Sequence, residues 1–316
     1  MEFEALEYEN DPDNDEPIYF FRKFITNELL DIIVNESNKY AVQSNPNDPL
    51  KITRAELEQF IGILFATCLM KMPSTRMYWS KEFYFNKVAD VMTLKRFEKI
   101  KSKLQCSDNL SRQDNCSDKL YKIRPVIDYL KYKFVQLRPY EQLCIDEQIV
   151  PFKGKSNLKE YNPKKPKQWG YKLYVLSETD GLVHNFEIYT GSIGTCPNQP
   201  DLKASGNIVL ILLQNIPRKR WHKLYFDNWY TSLPLVKLLH TQGNTCLETV
   251  RSNRLLNCKM SSDKDMKKDG RGSVELWTTD SDGVELRAIK WFDNRCVILY
   301  MRASIPPQKS SALIKS

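Results

Sequence analysis

No apolar run in this chain approaches the ~18 to 20 residues of a membrane span; the longest, such as Ile208 to Leu213, are short. Basic residues are absent from Met1 to Glu16, which holds eight acids. A secretory signal starts basic and continues apolar, so that class is excluded. The eight cysteines show no Cys-x-x-Cys spacing, and no two of the three histidines (His184, His222, His240) sit at ligand spacing. A zinc site is therefore not expected, and reduced thiols of the cytosol or nucleus are. No internal repeat is present.

What is there is a 316-residue chain, 41% hydrophobic and 27% charged, the composition of a folded soluble protein. The length suits two domains, or one large domain with insertions. Its formal charge of +8 hides an asymmetry. Without the acids of Met1 to Glu16, 47 Lys+Arg face 31 Asp+Glu. A body that basic favours a polyanionic partner, either nucleic acid or an anionic membrane surface. The acidic stretch reads as a disordered, solubilising tail, or as a cover over the basic surface when the polyanion is absent.

Residues 17–140 read as helical. Thr53-Arg-Ala-Glu56 is a capping box ahead of an apolar face of Leu57, Phe60, Ile61, Leu64, Phe65, Cys68 and Leu69. Thr26 to about Tyr40 reads as an earlier helix. A helix near Thr93 turns Leu94, Phe97, Ile100 and Leu104 inward and its lysines and Arg96 outward. Pro125 suits the first turn of another, with Val126, Tyr129, Leu130, Phe134 and Leu137 as its stripe. After Pro139 the period changes to that of strands. Leu143–Phe152, Tyr171–Glu178 and Val183–Thr190 read as strands, the last two joined by Thr179-Asp180-Gly181. Asn207–Asn215 reads as a buried helix, Lys223–Phe226 as a strand, Ser232–Thr241 as a helix stopped by Gly243, and Thr245–Arg251 as a fifth strand. Lys259–Gly272 reads as a polar loop and Ser273–Arg302 as three short antiparallel strands. The end, residues 305–316, has no packing pattern and reads as frayed.

Two aspartates end apolar runs with strand character: Asp146 in Leu-Cys-Ile-Asp and Asp227 in Leu-Tyr-Phe-Asp. In this order the first strand is central and the fourth lies beside it, so the two carboxylates meet on one side of the sheet. Held a few ångström apart they repel unless a proton or cation lies between them. Two Mg²⁺ ions between such acids can drive an in-line phosphoryl displacement. Taken alone, each aspartate reads rather as a strand-end or turn residue satisfied by a hydrogen bond. Between Lys153 and Lys172 stand seven lysines and one acid, with Tyr161 and Trp169 interleaved. That is a phosphate-binding stretch whose aromatics suit unpaired bases, or a solvated lysine-rich loop. Lys164-Lys165-Pro166-Lys167 also has the form of a nuclear localisation signal.

Cys144-Ile-Asp-Glu-Gln-Ile-Val-Pro-Phe-Lys-Gly154, Tyr161-Asn-Pro-Lys-Lys-Pro-Lys-Gln-Trp-Gly170, Phe226-Asp-Asn-Trp-Tyr-Thr-Ser-Leu-Pro-Leu235 and Thr249-Val-Arg-Ser-Asn-Arg254 closely resemble the piggyBac transposase family. The resemblance covers roughly residues 17 to 304. It implies an α/β fold: a mixed RNase H-like sheet at 141–255, a helical dimerisation and DNA-binding region at 17–140, and part of an insertion at 256–304. It implies cut-and-paste DNA transposition in the nucleus, with transposon ends and target DNA as partners, and it admits a homodimer. Neither membrane nor small-molecule substrate is implied.

By the same resemblance Asp146 and Asp227 are the first two of three aspartates that hold two Mg²⁺ ions. The third belongs to a Gly-Val-Asp motif that does not occur here. Glu147 alternates to the other strand face, and the later acids Asp263, Asp265, Asp269, Asp280, Asp282 and Asp293 follow no apolar stretch that would fix them in a core. A weakened metal site and no autonomous transposition are expected. The alternatives are an active metal-dependent nuclease or strand-transferase with its third acid from elsewhere, and an inert fragment of a decayed element. Lys153, Lys155, Lys164, Lys165, Lys167, Arg251 and Arg254 are expected to guide phosphates.

Overall fold

The computed structural model describes residues 3–4, 16–163, 165–255, 258–281 and 283–302. The chain divides into two compact units, one of residues Asn10–Lys133 and one of Met1–Glu9 with Phe134–Ser316. Lys164, Asp282 and the tail at 305–316 lie outside the described residues.

The first unit is helical. Helices α1 (Pro17–Phe24), α2 (Asn27–Ser44), α3 (Arg54–Leu69), α4 (Asn86–Ala89), α5 (Leu94–Lys103) and α6 (Arg124–Val135) follow in order. Three of them start where a threonine hydroxyl can accept an orphan amide: Thr26 from Leu29, Thr53 from Glu56, and Thr93 from Arg96. The expected capping box forms: the Glu56 amide donates to the Thr53 hydroxyl, and the Glu56 carboxylate accepts from the Thr53 backbone amide. The same carboxylate also takes Arg96, whose Nη2 donates to Oε2 at 2.6 Å, so Arg96 does not face outward as its spacing implied. The core gathers Leu30, Ala41, Leu57, Phe60, Ile63, Phe97 and Ile100. The apolar face of α3 also differs from the expectation: Ile63 is buried, while Phe65 is 59% and Leu69 87% exposed. On α6 the buried residue is Ile127, which the proposed stripe omitted.

The second unit is built on one mixed sheet. Its strands are β1 (Gln142–Pro151), β2 (Lys159–Tyr161), β3 (Trp169–Glu178), β4 (Val183–Ile188), β5 (His222–Phe226), β6 (Asn244–Thr249), β7 (Val274–Ser281), β8 (Val284–Phe292) and β9 (Cys296–Arg302). They lie in the order β2-β3-β1-β5-β6-β9-β8-β7, with β4 also paired to β3. β1 is antiparallel to β3 and parallel to β5, and β6 continues parallel to β5. That arrangement of β4, β3, β1, β5 and β6, an antiparallel start followed by two parallel crossovers, is RNase H-like. The crossovers are α7 (Lys203–Leu212) and α8 (Leu233–Thr241). Ile208, Val209, Leu212, Leu235 and Leu239 from them pack with Leu143, Ile145, Leu176, Leu224 and Phe226 of the sheet. Gly243 ends the α8 connection at φ +79, where a Cβ would come within 2.3 Å of the Lys219 backbone.

Two elements depart from the sequence reading. The polar stretch Lys259–Gly272 contains α9 (Asp263–Asp269), capped by Ser262 and held by buried Met266. β2 is too short to carry a period. Of the acidic stretch, Phe3 packs on the His222 ring at 5.0 Å and Glu4 pairs with Arg220 at 3.1 Å. Among the described residues no helix is long and apolar enough to cross a membrane.

Candidate functional site

β1 and β5 are register partners from Gln142↔Lys223 to Ile145↔Phe226. The next residue in each case is an aspartate, Asp146 within β1 and Asp227 immediately after the end of β5. Since residues alternate faces along a strand, Asp146 and Asp227 share a side of the sheet, opposite to buried Ile145 and Phe226. Parallel neighbours are ~4.8 Å apart, which sets the backbone separation of Ile145 and Phe226, the residues just before the two acids. Both are exposed; the Asp146 side chain is 63% accessible. The two aspartates thus come directly after the last register partners, Ile145 and Phe226, of two adjacent strands.

The Asp227 loop is held from several sides. Its Oδ1 accepts the Trp229 amide at 2.7 Å, and its carbonyl accepts the Tyr230 amide and the Thr231 hydroxyl, each at 3.2 Å. The Thr231 hydroxyl also reaches Thr249 O at 2.8 Å, tying the loop to β6. Arg254 Nη1 donates to Asn228 O at 2.8 Å, to Trp229 O at 3.2 Å and to Thr231 O. Arg251 Nε donates to Asn228 Oδ1 at 2.9 Å. Both arginines thus brace the loop that carries Asp227. Nothing in their spacing distinguished a brace from a phosphate contact.

Lysine crowds the other acid. Lys165 Nζ lies 3.6 Å from Asp146 Oδ2 and donates to Glu147 O at 3.0 Å. Lys153, Lys155 and Lys167 are exposed on the same β1–β3 segment. Lys164, the remaining lysine of this group, is outside the described residues.

Glu147 lies on the face of Leu143 and Ile145, half-buried, with Lys172 Nζ at 3.7 Å. Burial pushes its carboxyl above the ordinary range; Lys172 opposes this, and the charges of Asp146 and Asp227 add to it. Tyr230 is fully buried, and its hydroxyl has no hydrogen-bond partner among the described residues. Burial raises its pKa, and so do Glu147 and Asp146.

Two carboxylates on one face supply hard oxygen donors that fit part of a Mg²⁺ shell. No cluster of three or more His, Cys, Asp or Glu able to hold a metal occurs among the described residues. The later acids are engaged elsewhere: Asp263 with Lys290 at 2.7 Å, Asp293 with Arg271, and Asp280 with the Gly283 amide at 3.0 Å. Asp146 and Asp227 fit a cation that keeps much of its water.

The Transposase IS4 family profile matches residues 16–312. PiggyBac transposable element-derived protein 2 of Homo sapiens is 30% identical over 286 residues, covering 89% of this chain and 47% of that protein. PiggyBac transposable element-derived protein 3 of Homo sapiens is 27% identical over the same length, again with 89% and 47% covered. The chain spans about half the length of these curated relatives. A piggyBac transposase in a synaptic complex with hairpin DNA shares the fold, with a TM-score of 0.74 at 23% identity, over 93% of this chain and 63% of that one.

Proposed function

The chain belongs to the Transposase IS4 family, in its piggyBac type, and on that premise we propose that it is a DNA-binding protein of the DDE transposase kind, acting on nuclear DNA and not transposing on its own. The observation that carries this reading is that Asp146 and Asp227 directly follow the register partners Ile145 and Phe226 of neighbouring strands, with the Lys165 ammonium beside Asp146.

On this reading Lys153, Lys155, Lys164 and Lys167 draw the DNA backbone to the β1–β3 segment, a contact that is electrostatic and indifferent to sequence. Lys165 sits where the backbone would meet the acids. Asp146 and Asp227 would hold Mg²⁺, which when bound supplies Lewis-acid stabilisation of phosphoryl transfer. Arg251 and Arg254 keep Asp227 at its register position, with their remaining donors turned to phosphate. Among the described residues no third acid joins these two, and two alone would hold the ion loosely, so strand transfer by these residues alone is not expected. The likeness to a transposase solved in a synaptic complex with hairpin DNA supports a DNA partner.

The test is binding of the full chain to duplex DNA by fluorescence anisotropy across a salt series, with nicking assayed in Mg²⁺ and Mn²⁺. Tight binding that weakens steeply with salt, without nicking, is expected. A flat salt response overturns the phosphate-led contact. Nicking that disappears in Asp146→Ala overturns the inactive reading.

A further inference from the structure

Tyr161 and Trp169 are cross-strand partners on β2 and β3, their ring centroids 4.7 Å apart and their planes tilted by 38°. Each remains 50% exposed. Large aromatics left that open at the edge of a sheet are costly in water unless something covers them. Lys159 Nζ braces the pair, 4.9 Å from the Trp169 ring while donating to Gly154 O at 2.9 Å. Gly170 locks the position of Trp169: a Cβ there would fall 2.1 Å from the Val150 carbonyl, so the backbone of β3 lies tight against β1.

The registers place this pair on the acids' side of the sheet. Asp146 is opposite Val175, and Val150 opposite Tyr171, so Val175, Tyr171 and Trp169 share the face of Asp146. Tyr161, paired to Trp169, lies on that face too. The Phe152 amide donates to Trp169 O, which sets the pair level with Phe152, six residues along β1 from Asp146. At ~3.3 Å per residue that is about 20 Å, a span of several nucleotides. The loop between Tyr161 and Trp169 carries Lys165, which reaches back to Asp146.

We propose that Tyr161 and Trp169 form a stacking shelf for an unpaired base of single-stranded DNA, on the same strand whose backbone passes the Asp146–Asp227 site. The exposed lysines around the shelf, Lys153, Lys155 and Lys167, complement the phosphates, and the aromatic faces take bases without regard to sequence. A base inside a duplex offers no face to such a shelf, so the shelf selects melted or flanking single strand. This rests on the DNA reading above and goes beyond it in naming the strand state.

The experiment compares anisotropy titrations of the full chain with a fluorescent oligothymidylate and with a duplex of equal length. The variants are Trp169→Ala, Tyr161→Ala and Trp169→Phe. Trp169→Ala and Tyr161→Ala should weaken single-strand binding about tenfold while changing duplex binding less than about twofold, and Trp169→Phe should restore most of the loss. Equal weakening of both probes by Trp169→Ala, or none of either, overturns the shelf while leaving duplex binding by the wild type, and hence the DNA reading, intact. A wild type that binds neither probe overturns both.

Discussion

Lys165 holds its ammonium 3.6 Å from the Asp146 carboxylate, reaching it from the loop of a lysine-rich hairpin. Both groups are substantially exposed, with side-chain accessibilities of 33% and 63%, so the ion pair contributes little to stability. Its effect falls on cations. Lys165→Met should leave the melting temperature nearly unchanged and tighten Mn²⁺ binding several-fold by removing a competing charge. Calorimetric titration checks it; unchanged or weaker Mn²⁺ binding counts against competition at Asp146.

Arg254 acts on the other acid through the backbone. Removing its guanidinium leaves carbonyls of Asn228, Trp229 and Thr231 short of a donor in a half-buried setting. Arg254→Ala should cost about 1–3 kcal/mol in denaturant unfolding and speed amide exchange across 227–231. Arg251→Ala, which loses one solvent-accessible bond to the Asn228 side chain, should cost less than about 0.5 kcal/mol. Equal effects would mean that the loop is not held from Arg254.

Glu248 on β6 is 2% exposed, between its register partners Phe226 and Tyr300, and neither carboxyl oxygen has a partner among the described residues. Burial holds its pKa well above the ordinary 4.5. The folded state then binds more protons than the unfolded one, so stability is greatest below the unfolded value and falls as pH rises toward the folded value. The slope in that window is on the order of 1 kcal/mol per pH unit. Glu248→Gln should flatten it and raise the melting temperature at pH 7–8. A wild type whose stability does not decline with pH over that window would show the carboxyl to be charged and paired.

On α3, Ile63 is 1% exposed and Leu69 87%. Ile63→Ala should therefore cost about 2–5 kcal/mol and Leu69→Ala close to nothing, read from urea unfolding. Comparable losses at both sites would restore the broader apolar face that the sequence implied.

That contrast shows where sequence reading runs out. α3 is apolar on nearly every side, so its period marks a helix without saying which side is covered; Ile63, Leu64 and Phe65 are adjacent and equally apolar. Threonine caps were legible because a hydroxyl before a helix has one local use. The strands were legible from the change of period after Pro139, and with them the adjacency of the strand that carries Asp146 to the one that leads into Asp227. The short β2 and the seven-residue α9 were not, because neither is long enough to show a period against polar neighbours. The bracing of the Asp227 loop by Arg251 and Arg254 was not legible, because a guanidinium serves carbonyls and phosphates alike and their bonds to the loop depend on its path. Lys165 was legible as a cation, but its approach to Asp146 depends on how the hairpin folds back.

The most direct test of the paired acids is Mn²⁺ titration of the wild type beside Asp146→Asn, Asp227→Asn and the double variant. If one ion lies between the two carboxylates, each single variant should weaken binding about tenfold or more, and the double variant should be little worse than either, since neighbours that share a ligand are not additive. Undiminished binding in Asp227→Asn, with loss confined to Asp146→Asn, would contradict a shared site.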